Sequence, residues 1–155
     1  AAKPPLVLDG DALHLVQPGR IDPGRATIFT PHHGEFESLS EEFADELAQA
    51  NKVERARMAA RHWVAHLVYK GADSVMVSPG GAARIADHGN SWLSVAGSGD
   101  VLAGTIAARL AVTGEPMAAM IEGQWLHEQA ARLTGPAFGA GDLAANIRHA
   151  LADSL

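Results

Sequence analysis

Residues 96–104 read Ala96-Gly97-Ser98-Gly99-Asp100-Val101-Leu102-Ala103-Gly104, a glycine-rich loop that opens a long helical stretch. Glycines let a ligand approach the backbone closely, and the first amides of a helix attract an anion, so Gly97, Ser98 and Gly99 form a candidate anion hole. Asp100 would repel a phosphate that is merely bound there, but it suits a base that takes the proton from a hydroxyl being phosphorylated. The alternative is that Asp100 only caps the helix.

The loop fits neither of two common phosphate-binding patterns. Its third glycine is displaced from the dinucleotide-binding G-x-G-x-x-G spacing, and no G-K-[ST] follows as in a P-loop.

The composition describes one compact enzyme-like domain. The chain has 155 residues, of which 47% are hydrophobic and 19% charged, which is enough apolar material for a core. Acidic residues outnumber basic ones by 18 to 12, and the net charge of −6 argues against a nucleic-acid partner. No apolar run approaches the roughly 18 residues of a membrane span, so we expect no membrane partner and no signal peptide within the chain. The absence of cysteine excludes disulfides and thiolate metal sites and fits a cytoplasmic location.

Outward from the loop, apolar runs and helical patterns alternate along the chain. Continuous apolar runs predict parallel strands at Leu6–Leu8, Ala26–Thr30 and Leu67–Tyr69, the first an interior strand buried on both faces. A hairpin is predicted around Pro79-Gly80-Gly81, between strands at 74–78 and 82–86. Helices are predicted at 11–16 (stopped by Pro18-Gly19), 34–39, 53–67, 100–112, 117–133 and 142–151. This order predicts an α/β layered fold with a mostly parallel sheet.

Two further motifs follow predicted strands. Thr30-Pro31-His32-His33-Gly34-Glu35 contains a histidine that could donate to a phosphate or polarise a carbonyl, and a glutamate that could hold a metal's water. Lys70-Gly71-Ala72-Asp73-Ser74 offers a lysine for a phosphate. Because parallel strands end at one edge of a sheet, we expect both motifs to converge there with Asp9 and with the glycine-rich loop. Taken one at a time, each motif is more simply an ordinary turn.

The remaining histidines and the tryptophans carry no predicted chemistry. His62 and His66 have the i, i+4 spacing of metal ligands on a helix, but the glutamate of H-E-x-x-H and a third ligand are missing, so we predict no metal site. Ordinary surface or half-buried positions are expected for His14, His88, His127 and His149, and core or interface packing for Trp63, Trp92 and Trp125.

Taken together and in order, these motifs resemble those of the ADP- or ATP-dependent NAD(P)H-hydrate dehydratases, a ribokinase-like domain found at the C-terminal end of many bifunctional repair proteins. Residues 7–13 resemble the family's D-A-D-A-L element, with Gly10 in place of the first alanine. Residues 30–35 resemble T-P-H-P-G-E, with His33 in place of the second proline. Residues 69–72 resemble L-K-G-A, and residues 96–104 resemble G-x-G-D-V-L-x-G. Asp142-Leu143, ahead of the last helix, is similar to the family's closing segment.

The resemblance implies a carbon–oxygen lyase that repairs a cofactor. Hydrated NADH or NADPH carries an extra hydroxyl on its nicotinamide ring; a nucleotide phosphorylates that hydroxyl, and elimination of phosphate restores the cofactor. By family likeness His32 and Asp100 contact the hydrated dinucleotide, with Asp100 as catalytic base. The residues that would line the nucleotide are Lys70, Gly71, Ala72, Asp73, Ser74 and Gly99.

The resemblance also implies ADP or ATP as phosphoryl donor, with Mg²⁺. Since the sequence has no Walker-type metal motif, the ion would be held mainly by nucleotide phosphates and water. The abundance of alanine and arginine favours a bacterial chain of high GC content, and bacterial members of the family use ADP, so we expect ADP.

The family domain is longer than this chain, and residues 1–155 resemble only its C-terminal part. An interior strand at Leu6–Leu8 needs a neighbour that nothing before it supplies, and an exposed strand edge tends to pair with another chain. We therefore expect an upstream segment or another chain, as in a homo-oligomer, to cover that side, and we do not expect residues 1–155 alone to be a complete active enzyme.

Two alternatives remain at this stage. A ribokinase-like kinase for a vitamin precursor or sugar would share the loop and Asp100 but release a stable phosphorylated product; such kinases more often carry asparagine where His32 stands. A non-catalytic nucleotide-binding remnant is the other alternative.

Overall fold

The computed structural model describes residues 3–15, 22, 25–86 and 89–154. Five strands form one sheet in sequence order: β1 (Leu6–Leu8), β2 (Thr27–Phe29), β3 (His66–Tyr69), β4 (Val75–Val77) and β5 (Ala83–Ile85). The first three are parallel, and β4 and β5 follow as an antiparallel hairpin, so four of the five strands run in one direction. The predicted α/β fold, its three parallel strands and its hairpin are confirmed.

Seven α-helices surround this sheet in the described residues. They are α1 (Asp11–Leu15), α2 (His33–Leu39), α3 (Ala44–Leu47), α4 (Lys52–Trp63), α5 (Ser98–Thr113), α6 (Pro116–Thr134) and α7 (Ala140–Ala152). No helix in this part of the chain is long and apolar enough to cross a membrane. Val16, Pro18-Gly19 and His88, which carried predictions, lie outside the described residues.

Helices cover both faces of the sheet, which explains why its strands read as continuous apolar runs. Successive strand residues point to opposite faces, so Phe29 and Leu67 pack with Trp63 of α4 on one side. Ile28 and Val68 pack on the other side with Ile106 of α5 and with α6. A third apolar cluster joins α6 and α7. The two helix layers position the loops at the strand ends.

The close approach of α5 and α6 depends on one glycine. A Cβ on Gly123 would lie 2.6 Å from Ile106 Cγ1 and 3.0 Å from Ile106 Cα, so any larger residue would force the two helices apart. This packing brings the middle of α6 against the first turn of α5, where the glycine-rich loop ends.

The predicted helix to Leu67 is wrong, because α4 ends four residues earlier at Trp63. Val64 adopts a left-handed conformation with φ 52°, and its backbone N–H bonds back to the carbonyls of Ala60 and Arg61. His66 then pairs with Ile28 in the sheet. His62 lies in α4 and His66 in β3, so the two histidines do not form the i, i+4 pair on one helix that their spacing suggested.

The first strand also differs from its prediction. All three residues of β1 are half-buried rather than buried, and within the described residues β2 is its one strand neighbour. The strand therefore lies at an edge of the sheet in this chain, because its outer side has no partner among these residues.

Candidate active site

The carboxyl ends of the three parallel strands meet at Asp9, Thr30 and Lys70. The Thr30 hydroxyl donates to Asp9 Oδ1 at 2.7 Å, and Lys70 Nζ donates to the same oxygen at 2.7 Å. Glu35 Oε2 lies 3.9 Å from Lys70 Nζ on its other side. The predicted convergence of the strand ends is confirmed, and it sets one ammonium between two carboxylates.

His32 combines two roles at the start of α2. Its Nδ1 accepts a hydrogen bond from Glu35 N at 3.2 Å, while Glu35 Oε2 accepts from His32 N at 2.7 Å, which is a reciprocal capping box. With Nδ1 accepting, the proton of the neutral ring resides on Nε2, which lies 3.4 Å from Glu35 Oε1 and can donate to that carboxylate or to a ligand. His33 occupies the first helical position, where proline is favoured, and its Nδ1 lies 2.7 Å from the Tyr69 hydroxyl.

The glycine-rich loop packs directly against these strand ends. Gly97 precedes α5 in a left-handed conformation with φ 83°, and Val101 N makes the first helical bond, to Gly97 O at 3.1 Å. A Cβ on Gly99 would lie 3.2 Å from Lys70 Nζ and 3.8 Å from Asp9 Oδ2. Glycine at position 99 therefore allows the N-terminus of α5 to approach the lysine, and a helix N-terminus beside an ammonium attracts an anion.

A cavity of about 620 Å³ opens between these elements. Segment 89–95 closes one side: a Cβ on Gly89 would lie 2.8 Å from Ala72 Cα, so this glycine lets the segment contact the loop after β3. The cavity has the size of a small-molecule site. Its lining includes, among the predicted site residues, His32, Lys70, Gly71, Ala72, Ser74, Ser98 and Gly99.

Three predicted residues stand outside this lining. Asp73 turns its carboxylate to Lys52 Nζ at 2.5 Å, and the hydrogen bond from Lys52 lowers the pKa of Asp73. Asp100 is exposed in the first turn of α5, with Oδ2 3.9 Å from where a Cβ on Gly97 would lie. Gly97 is the residue of the loop that directly precedes α5, and it does not line the cavity. The roles of these residues stay predictions.

The structure adds three residues of α6 that the sequence did not indicate: Gln124, His127 and Glu128 line the same cavity. His127 is buried, so its expected surface or half-buried position is wrong, and its Nε2 lies 2.9 Å from Ser98 O. Burial, with Lys70 adding to the effect, lowers the pKa of His127 to about 4, so the ring is neutral at physiological pH. The available signal was three polar residues at the helical spacing of a core-facing stripe.

The other aromatic predictions divide between core and surface. Trp63 is buried, with its ring centroid 5.7 Å from that of Phe29. Trp92 and Trp125 are exposed in this chain, and His62 lies with its ring centroid 4.2 Å from that of Phe43.

Asp142 lies within the first turn of α7 rather than before it, where its Oδ2 accepts a hydrogen bond from Gly139 N at 3.0 Å.

The site fits a cation carried in by a ligand better than a resident metal. Among the described residues no group of three or more histidine, cysteine, aspartate or glutamate side chains could hold a metal ion. Asp9 and Glu35 nevertheless supply one net negative charge around Lys70, which suits contact with a hydrated divalent cation through water.

Comparison with known sequences shows a consistent set of relatives. Residues 1–152 match the family described as NAD(P)H-hydrate dehydratase. The chain is 40% identical over 129 residues to the bifunctional NAD(P)H-hydrate repair enzyme Nnr of Gloeobacter violaceus, covering 81% of this chain and 24% of that protein. It is 33% identical over 150 residues to the ADP-dependent (S)-NAD(P)H-hydrate dehydratase of Neisseria meningitidis, covering 92% of this chain and 50% of that one.

Comparison with solved structures shows a ribokinase-like fold. The ADP/ATP-dependent NAD(P)H-hydrate dehydratase of Bacillus subtilis, co-crystallised with ATP and Mg²⁺, superposes with a TM-score of 0.82 at 28% identity, covering 99% of this chain and 56% of that one. A ribokinase of Thermotoga maritima superposes with a TM-score of 0.64 at 18% identity, covering 96% and 57%, and shows likeness of fold alone. The chain thus spans about half the length of these proteins and about a quarter of the bifunctional relatives.

Proposed function

The chain belongs to the NAD(P)H-hydrate dehydratase family, and we propose that it carries out the nucleotide-dependent dehydration of hydrated NADH or NADPH, a lyase reaction that regenerates NADH or NADPH. The observation that carries this proposal is the cavity in which Lys70, His32 and the loop at Gly99 meet. It brings together a cation, a hydrogen-bond donor and a helix N-terminus, the groups that a phosphoryl transfer requires.

Phosphate binding falls to the N-terminal end of α5 and to Lys70. The amide of Gly99, with the positive end of the helix dipole, would face the phosphates of the donor, and Gly97 gives the loop its left-handed turn. Ser98 N donates instead to Val95 O at 3.2 Å, so Ser98 would border the phosphates without offering its amide. Residues 70–74 would line the nucleotide, with Asp73 acting through its contact with Lys52. Lys70 would neutralise charge on the transferred phosphoryl group.

Asp100 would act as the base, and His32 would orient the substrate. Asp100 removes the proton of the ring hydroxyl while that oxygen forms a bond to the terminal phosphorus of the nucleotide, whose bridging oxygen leaves. The carbon–oxygen bond to the new phosphate group then breaks as a proton leaves the neighbouring ring carbon, which releases phosphate and restores the ring. His32 Nε2 would donate to the substrate from a ring that its capping bond holds in place.

We propose that Mg²⁺ enters with the nucleotide, as the Bacillus subtilis relative with ATP and Mg²⁺ supports. When bound it would offset the negative charge of the phosphates. Glu35 and Asp9 would contact its water, and both carboxylates are already held by hydrogen bonds from His32 N and Thr30. We propose ADP as the donor, in line with the ADP-dependent relative of Neisseria meningitidis.

The wider assignments are also proposals. Residues 1–155 would be the C-terminal part of a ribokinase-like NAD(P)H-hydrate dehydratase domain, since the chain covers 56% of the Bacillus subtilis structure. Either another segment or a second copy would cover β1, and a homo-oligomer is the second of these two cases. A cytoplasmic location fits the absence of cysteine and the bacterial relatives.

The two alternatives have weaker support. Relatives at 33% and 40% identity are hydrate repair enzymes, whereas the ribokinase is 18% identical and shares the fold alone. A non-catalytic remnant would not need the ion pair between Lys70 and Asp9, nor the close packing of the glycine-rich loop against Lys70, and this cavity has both.

The test measures phosphate release and NADH absorbance with residues 1–155 together with the segment or second copy that covers β1, hydrated NADH, Mg²⁺ and either ADP or ATP. We expect equal amounts of phosphate and NADH, and no phosphate release when the hydrate is omitted. A stable phosphorylated product from a sugar or vitamin precursor would instead support the kinase. Nucleotide binding without turnover of any of these substrates would favour the remnant.

A further inference from the structure

One wall of the cavity is a polar cluster in a buried setting. Gln124, His127 and Glu128 of α6 are 7%, 3% and 8% exposed, yet all three line the cavity. Buried polar side chains are costly unless they are paired, so each of their atoms should have a partner. Two atoms do not: Gln124 Oε1 and His127 Nδ1 are buried and have no hydrogen-bond partner.

The hydrogen bonds that do form fix these two atoms as acceptors. Gln124 Nε2 donates to Glu128 Oε1 at 2.8 Å, and a carboxylate can only accept, so Glu128 orients the amide with its oxygen away. His127 Nε2 lies 2.9 Å from the carbonyl of Ser98, which also only accepts, so the proton is on Nε2 and Nδ1 is a bare acceptor. Three residues apart on one helix, the two acceptors share a face.

The larger cavity is lined by both Gln124 and His127, so a ligand there can reach either acceptor. Gln124 and Glu128 also line a second cavity of about 400 Å³, on the side of β4 and β5. His127 lines the larger cavity but not the second one. Leu93, Val95 and Leu102 line the larger cavity as well and offer apolar contacts to a flat ring. A ring with N–H donors on its edge would fill this space.

We propose that the Gln124–Glu128 pair is the base-specificity element of the nucleotide site, selecting a purine with an amino group over one with an oxo group at the same position. This inference rests on the proposed function in one respect, that a nucleotide is the phosphoryl donor. Its phosphates lie at the glycine-rich loop, and His127 joins that loop to the wall through Ser98. The base then extends along α6 toward Gln124, whose Oε1 accepts from the amino group.

Glu128 is what makes the selection strict. An oxo group would face Gln124 Oε1 with two acceptors in contact, and rotation of the amide to present its NH₂ would set Gln124 Oε1 against the Glu128 carboxylate. A site built to hydrogen-bond one group rejects an analogue that lacks it, because a buried polar atom is left unpaired.

The first experiment needs no variant. Calorimetric titration of the chain with ADP and with inosine diphosphate, in Mg²⁺, compares an amino with an oxo group at one position of the same ring, a change that also turns the adjacent ring nitrogen from an acceptor into an N–H donor. We expect ADP to bind roughly tenfold to hundredfold more tightly, the effect of a lost hydrogen bond to a buried group. Equal affinities would overturn the proposal.

The second experiment releases the amide. In Glu128→Gln the side chain at 128 can donate as well as accept, so the Gln124 amide can rotate. We expect the preference for ADP to fall to roughly threefold or less. We also expect the variant to bind inosine diphosphate more tightly than the parent does. Glu122→Gln is the matched control, since it removes the same charge from α6 at a residue that pairs with Arg109 outside the cavity. It should keep the parent preference.

The outcomes separate this proposal from the proposed function. An unchanged preference in a folded Glu128→Gln protein, checked by circular dichroism, overturns the role of the pair and leaves the repair reaction standing. A strong preference for ADP, without turnover of hydrated NADH even when the segment or second copy that covers β1 is present, supports the pair and counts against the repair reaction. Failure to bind either nucleotide overturns both.

Discussion

Lys70 Nζ and Asp9 Oδ1 lie 2.7 Å apart, although they follow strands β3 and β1, which are separated in the sheet by β2. The contact passes the end of the middle strand, where the Thr30 hydroxyl donates to the same carboxylate oxygen at 2.7 Å. Both side chains are mostly buried, at 17% and 15% exposure, so the pair is screened less than a surface ion pair. It ties the three strand ends into one rigid floor for the cavity.

Lys70→Ala should weaken nucleotide binding by roughly tenfold to hundredfold, the usual worth of a hydrogen bond to a charged group. The loss has two sources, since the phosphates lose a cation and also face Asp9 and Glu35 without one. Calorimetry with ADP measures the effect. Lys3→Ala is the control, because Lys3 is an exposed lysine that bonds to Asp22 and takes no part in the cavity lining. An unchanged affinity in Lys70→Ala would make Lys70 a structural lysine only.

Asp100→Asn should retain the fold and nucleotide affinity but lower turnover by about 10²–10⁴, the typical contribution of a positioned base. Asp142→Asn is a closely matched control, because Asp142 occupies the same third helical position in α7 that Asp100 occupies in α5. There it accepts a hydrogen bond from Gly139 N. Equal turnover in both variants would show that Asp100 is only a helix-start residue.

The sequence predicts the strand ends well because local signals determine them. Apolar runs that close on Asp9, Thr30 and Lys70 identify strands covered on both faces, and such strands are parallel and end together. The glycine-rich loop carries its own turn signal at Gly97, whose left-handed conformation favours glycine. These features account for most of the cavity floor.

The sequence does not predict the end of α4, because no glycine or proline marks it. Val64 is a β-branched residue in a left-handed conformation, which local preference disfavours. The pairing of His66 with Ile28 and the burial of Trp63 determine the break, and both are contacts between distant parts of the chain. Tertiary packing here overrides helix propensity.

The α6 wall is missed for a related reason. Gln124, His127 and Glu128 follow the period of a buried stripe, and periodicity alone cannot tell whether that stripe meets a core or a cavity. The difference depends on where α5 begins, since the carbonyl of Ser98 supplies the partner of His127.

Val64→Gly should raise the free energy of unfolding by about 1 kcal/mol, because glycine adopts the left-handed conformation without the steric penalty of valine and loses part of that gain to its more flexible unfolded state. Urea denaturation measures the change. Val112→Gly is the opposing control: Val112 is an exposed residue of α5, and glycine there should lower stability by about 0.4 kcal/mol, because valine is itself a poor helix former. Lower stability in both variants would mean that Val64 contributes packing that outweighs its strain.

Acid should destabilise the protein through His127. Burial lowers the pKa of His127 in the folded state from 6.5 to about 4, so the unfolded chain binds a proton at a pH where the native chain does not. The contribution of neutral His127 to the free energy of unfolding is therefore fully present above pH 6.5 and is lost as the pH falls toward 4. Burial also lowers the pKa of His66, which acts in the same direction.

The prediction compares the pH dependence of the unfolding free energy in the parent and in His127→Asn. The contributions of carboxylates, which both proteins share, cancel in that comparison. Between about pH 7.5 and about pH 5, the parent should lose about 2 kcal/mol more unfolding free energy than His127→Asn, whose side chain does not titrate. Urea denaturation at both pH values measures this difference, and His149→Asn is the control, since His149 is exposed on α7. The same pH dependence in parent and His127→Asn would mean that folding does not lower the pKa of His127, which would contradict the burial of an unpaired Nδ1.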